Sequence, residues 1–319
     1  MSQSAANEPS DALRRVPSEP LRRIDWLAVA PWVILFRCPA AVLGWPWLVG
    51  AVGAVLIGGF GVDSPTEFRY GWPDFREPIW PIPVTQVDWV GLARLAGWIA
   101  LGLMIARSVA RKLTGRPSVA IHNTVGEGLR SLPIVLAGGF GLLAPAALLL
   151  SLLTAVVGWL PGVTPSIVTT LVSLFALPLV AAVVIVGVSW PLLVGAIAVD
   201  RSDAFEAASR QLAYATQRPL RAAFYVGIAV VLGYVLSVPL ELLLYVTQDW
   251  LSLATAGKEA EVMQTAPAGF DLAARVLRGF YPAYFFSAAT AIYLLLRHDI
   301  DGQPLDEMAA SGGQSPSVA

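Results

Sequence analysis

The sequence predicts an all-α integral membrane protein with six transmembrane helices and cytoplasmic amphipathic interfacial helices. Three observations carry that prediction. Of 319 residues, 56% are hydrophobic and only 13% charged, against about a quarter charged in a soluble domain. Apolar runs longer than about 18 residues recur, enough for a helix to cross a hydrocarbon core. The alternating segments of about ten residues that build a transmembrane barrel are missing.

The same composition excludes several functions. A formal net charge of −1 leaves no surplus of Lys and Arg to neutralise phosphates, so no nucleic acid is expected as a partner. Cys38 is the only cysteine, which forbids an intrachain disulfide, and Arg37 stands before it where lipoprotein acylation needs a small residue. His122 and His298 are the only histidines, so the ligand spacing of a zinc or haem site is missing. No catalytic residue, cofactor or metal is therefore expected, and an enzyme is not the reading taken.

The elements follow in order. Residues 1–23 are polar, carry Arg14, Arg15, Arg22 and Arg23, and read as a disordered cytoplasmic tail. The apolar run begins too late for a standard signal peptide, and Arg22-Arg23 reads as a positive anchor rather than a twin-arginine signal. Residues 24–300 form the membrane domain, and 301–319 a second disordered cytoplasmic tail. Within the domain, 24–37 is apolar but short and contains Pro31, so it is expected to lie half-buried at the interface. The first span covers about 39–61, where Gly50, Ala54 and Gly58 stand four apart and open a seam for another helix. A loop at 62–88 leads to span two, about 89–108, and span three covers about 132–158.

The turn after Pro161 leads into a long run, 167–199, that suits one tilted span; Pro178 and Pro191 are expected to kink it. Span five covers about 220–246, a polar loop 248–278, and span six about 280–296. Fifteen of the 21 basic residues then fall on one set of sides, with only Arg69, Arg76, Arg94, Lys258, Arg275 and Arg278 on the other. The positive-inside rule puts both termini in the cytoplasm of a multi-pass bacterial inner-membrane protein. Trp72, Trp80, Trp89, Trp159 and Trp250 crowd the opposite boundary as an aromatic belt.

Between spans four and five the chain reads AVDRSDAFEAASRQLAYATQRPLRAAFY. Phe205, Ala208, Leu212 and Ala215 recur at helical spacing and predict one narrow apolar face. Asp203 and Glu206 place acids at the helix start, and Glu206 pairs in favourable order with Arg210. The expectation is a surface helix with a solvated charged face. A capping-box pattern, Thr124 to Glu127, suggests a comparable helix before span three. Arg37-Cys-Pro39, Arg130-Ser-Leu-Pro133 and Arg218-Pro219 suggest three units, each an inner helix plus two spans. Arg37, Arg130, Arg210, Arg218 and Arg221 are the expected inner-interface anchors, reaching the headgroups of the bilayer, anionic ones included.

Ionisable residues inside spans mark candidate sites. Arg94 lies five residues past Trp89 and Glu241 six before Thr247, each about 7–9 Å below the same boundary at 1.5 Å per residue. They are the candidate intramembrane ion pair. Asp299, Asp301, Asp306 and Glu307 in the tail lack the spacing of a calcium loop and read as a polar turn.

The stretches YLLLRHDIDGQPLDE, SWPLLVGAIAVDRSDAFEAASRQLAY and ARSVARKLTGRPSVAI resemble a family of uncharacterised bacterial six-helix integral membrane proteins. More remotely, the layout is similar to the membrane domain of glycerophosphodiester phosphodiesterases. The resemblance implies a fold and no activity. The functional expectation is a membrane scaffold, assembly or envelope protein with a cytoplasmic working surface and an unknown protein partner. The alternative is a transporter or permease subunit for a small solute or lipid.

Overall fold

The computed structural model describes residues 30–58, 89–116, 121–158, 165–255 and 260–303. Among them every regular element is helical. A 3-10 helix (Pro31–Arg37) runs into α1 (Cys38–Val42), and a break at Leu43-Gly44 precedes α2 (Trp45–Leu56). Then come α3 (Trp89–Leu113), α4 (Ile121–Gly158), α5 (Pro165–Asp200), α6 (Ala204–Gln217), α7 (Pro219–Thr255), α8 (Ala260–Arg278) and α9 (Phe280–Asp301). Among the described residues four helical segments are long and apolar enough to cross a membrane: Trp89–Leu113, Leu179–Asp200, Pro219–Ala254 and Gly269–Asp301. A fifth arises if the bent pair Pro31–Val42 and Trp45–Leu56 counts as one span. The protein is thus a helical membrane protein with four or five such segments among the described residues; the expected third span lies in α4, many of whose side chains fall outside them.

The core is built around α9. Its faces are buried all round, from Phe280 through Phe286 and Tyr293 to Leu296, as befits a helix whose neighbours are protein on every side. It packs against α1, α2, α3, α5 and α7. Small residues allow this: Ala283, Ser287, Ala288, Ala289 and Ala291 are all buried, which brings partner backbones close. The closest crossing joins α2 to the α8–α9 corner. A Cβ on Gly50 would overlap the Gly279 carbonyl oxygen, and one on Gly279 would overlap the Ala51 backbone. The predicted seam is therefore real at Gly50 and Ala54. Gly58 departs from it: at φ 66° it leaves the helix, and its carbonyl accepts the Trp98 indole N–H at 3.0 Å.

Five other expectations need correction. The 24–37 segment is not a half-buried surface helix where it is described, because Ile34 and Leu35 lie in the main core. The first span is not continuous. Gly44 adopts φ 106° and the chain turns by 68°, while the Lys112 ammonium donates to the freed carbonyls of Ala41 (2.8 Å) and Leu43 (3.3 Å). Thr124 does not stand at a helix start but within α4, which begins at Ile121 and runs on through Pro133 and Pro145. That continuity also removes the separate inner helix from the second of the three expected units. The loop expected at 248–278 is mostly helix: α7 extends to Thr255, and α8 follows with Phe270 and Ala274 packed on Leu244. Trp89 and Trp250 are exposed at the far ends of α3 and α7, while Trp72, Trp80 and Trp159 fall outside the described residues.

Candidate functional site

A cluster of polar residues lies at one end of the bundle, where α3, α5 and α9 finish and α4, α6 and α7 start. Their centre is Asp200, the last residue of α5, whose side chain is 6% exposed. Arg201 beyond it takes a left-handed φ of 56°, a conformation that ends helices and is uncommon outside Gly and Asn. The chain turns there, and Asp203 caps α6 by accepting from the Glu206 N–H at 2.8 Å. The predicted acidic helix start is what forms.

Three donors converge on the Asp200 carboxylate. Arg297 of α9, also 6% exposed, donates to one oxygen. Arg210 of α6 and the Tyr293 hydroxyl of α9 donate to the other, each at 2.5 Å. Arg210 also reaches Glu206 at 2.5 Å, the expected pair four residues apart. Burial works to lower the pKa of Arg210, but its bond with Tyr293 and the charges of Asp200 and Glu206 outweigh it and move it upward. A second layer straps α6 and α7 to the last turn of α9. Tyr214 donates to Asp301 at 2.5 Å, and Tyr225 to Asp299 at 2.6 Å. Burial first, then the Asp301 bond, pushes the Tyr214 phenol well above its ordinary range, so it stays a donor. Arg221 pairs with Asp299 at 3.1 Å. Asp299 and Asp301 are thus side-chain acceptors in a helix end that Gly302 closes in the left-handed region, rather than parts of a polar loop.

This geometry changes the reading of α6. Its buried face is Ala207, Ala208, Gln211 and Tyr214, and Phe205 is 85% exposed, not part of a buried stripe. Gln211 enters the core by donating to Ser189 Oγ (2.7 Å) and the Val186 carbonyl (3.1 Å). Its charges are only partly a solvated face, since Arg210 is turned inward on Asp200. Among the expected anchors, Arg210 and Arg221 are held in ion pairs. Arg37, Arg130 and Arg218 are exposed and have no ion-pair partner among the described residues.

The candidate pair of Arg94 and Glu241 does not form. Glu241 binds Arg278 through two contacts of 3.3 Å and accepts from the Tyr281 hydroxyl at 2.5 Å, whereas Arg94 lies on an exposed face. Matching depth was not enough, because α7 packs beside α8 and α9 and its acid finds the nearer arginine.

Sequence reasoning missed Asp200, Tyr293 and Arg297. The one available signal was their position: Asp200 and Arg297 each close an apolar run, at the C-terminal ends of two spans that the charge asymmetry orients in the same direction. Among the described residues no group of His, Cys, Asp and Glu is arranged to hold a metal ion. Comparison with protein-family models, with curated proteins and with solved structures finds no match.

Proposed function

We propose that the protein is a multi-pass inner-membrane scaffold that presents α6 as a rigid cytoplasmic platform. The observation that carries this reading is the Asp200 hub, which ties α6 to α5 and α9 through buried charge-assisted hydrogen bonds. Such a network fixes orientation at a cost in desolvation, and orientation is what a docking platform needs. The outward face left by this arrangement carries Phe205, Glu206, Ser209 and Thr216, all exposed. The concentration of basic residues at this end supports a cytoplasmic placement of both termini in a six-span layout. The stretches that resemble six-helix bacterial membrane proteins are in keeping with that layout, and they add no activity to it.

A second reading, a permease subunit, is favoured by one observation. The bent pair before and after Leu43-Gly44 frees backbone carbonyls that a cation, the Lys112 ammonium, already occupies. Broken helices with bound cations recur at transporter sites. The two readings separate experimentally. A photoreactive residue at Phe205 or Ser209, irradiated in native membranes, is expected to give a discrete protein adduct that the same residue at Val231 does not give. An α6 without adducts, together with solute flux into vesicles that is lost in Lys112→Met, would favour the permease.

A further inference from the structure

We propose that the basic cluster where α3, α4 and the α5–α6 turn meet is a phosphate-oxyanion site, filled in the membrane by the headgroup phosphate of an anionic lipid. The cluster is organised by Arg107, which projects from α3 with a side chain only 9% exposed. Its Nη2 donates to Ser131 Oγ of α4 at 2.7 Å. Its Nε and Nη1 are buried and have no hydrogen-bond acceptor among the described residues. The acid that faces it is Glu127, whose Oε2 stands 3.6 Å from Nη1, beyond hydrogen-bond range.

The same carboxylate is divided between two arginines. Its other oxygen pairs with Arg201 at 3.0 Å, and Arg111 stands one helical turn beyond Arg107 on α3. Two guanidinium groups therefore share one carboxylate, Arg111 adds a like charge felt at Arg107, and the more buried of the two sharing arginines keeps two nitrogens without an acceptor among the described residues. A buried charged donor without an acceptor is costly. Glu127 and Arg201 are 44% and 49% exposed, so the carboxylate is free to swing into water. A phosphate entering between Arg107 and Arg201 brings more oxygens and at least the same charge, in a geometry that arginine forks match. Glu127 is then the stand-in that holds the site when no phosphate is present. Exposed Leu129 and exposed Arg130 follow on the same helix, a composition suited to a headgroup boundary.

The lipid assignment rests on the reading that this end of the bundle lies in a headgroup layer; the oxyanion assignment does not. The experiment titrates the purified full-length chain in detergent with short-chain phosphatidylglycerol, and separately with inorganic phosphate, following binding by native mass spectrometry and thermal shift. Phosphatidylglycerol is expected to bind, and Glu127→Gln is expected to bind it more tightly, because the competing charge is gone. Arg201→Gln is expected to weaken binding about fivefold, the worth of one basic residue at an anionic surface. Arg107→Gln is expected to lose it; should that variant fail to fold, the opposite responses of Glu127→Gln and Arg201→Gln decide the question. If inorganic phosphate shows this order of variants and phosphatidylglycerol does not, the oxyanion site stands and the headgroup placement fails. Binding of both ligands that is unchanged or weaker in Glu127→Gln overturns the proposal, since a purely structural ion pair would behave that way.

Discussion

Asp200→Ala is expected to be the most damaging single substitution at the polar end of the bundle. It leaves the Arg297 guanidinium, 6% exposed, with only the more distant Asp301 carboxylate at 3.8 Å as counter-charge and removes the acceptor of the Tyr293 hydroxyl. Breaking one side of a buried pair typically costs about 3–5 kcal/mol. Thermal unfolding in detergent should register a loss of that order, while Arg210→Gln should lose less, because Arg210 is 31% exposed and water can replace part of its role. Combining Asp200→Ala with Arg297→Leu should restore part of the stability, since the stranded charge is then gone. Strict additivity of the two losses would mean that the residues are not coupled.

The second large effect is expected where backbones touch. Gly50→Val must push apart α2 and the α8–α9 corner, because even its Cβ would overlap the Gly279 carbonyl oxygen. Overpacking costs about 1–3 kcal/mol when side chains can yield, and here the obstacle is backbone, so the upper end or more is expected. Gly227→Ala is the matched control: its Cβ meets nothing within 4 Å, and helix propensity alone predicts a gain of up to about 1 kcal/mol. Thermal shifts of the two variants in the same direction would contradict the packing described for α2.

These two regions also show what a sequence of this kind reveals. The alternation of apolar runs with basic loops located α3, α5, α7 and α9 closely, because helix length and charge asymmetry are imposed by the bilayer itself. Which of them is central was not legible. Both α7 and α9 are apolar all round, yet α9 is buried throughout and α7 is exposed along most of its length. Lipid and protein interior are equally apolar, so hydropathy cannot distinguish them; the run of small residues in α9 is the signal that does. The α8 helix was hidden by its charges, although Phe270, Ala274 and Leu277 stand at helical spacing and pack together. The site was less legible than the fold. Glu241 was recognised as an intramembrane acid, but its partner came from the next helix in space, Arg278, rather than from equal depth. Asp200 passed as one charge among many in a polar segment, because its burial depends on the left-handed turn at Arg201 and on a donor about a hundred residues later.

The most direct test of the central claim, that α6 is held on the cytoplasmic end of a membrane bundle, is the sidedness of single cysteines. In a Cys38→Ala background, Ser209→Cys on the exposed face of α6 and Asp249→Cys near the far end of α7 are treated with a membrane-impermeant maleimide. Ser209 suits the test because it is exposed, whereas the nearby Ser202 is buried and would react poorly from either side. In intact cells the cysteine at position 249 is expected to label and the one at 209 to stay unreacted until the membrane is opened. Labelling of position 209 from outside intact cells would contradict the cytoplasmic platform and the orientation of the whole bundle.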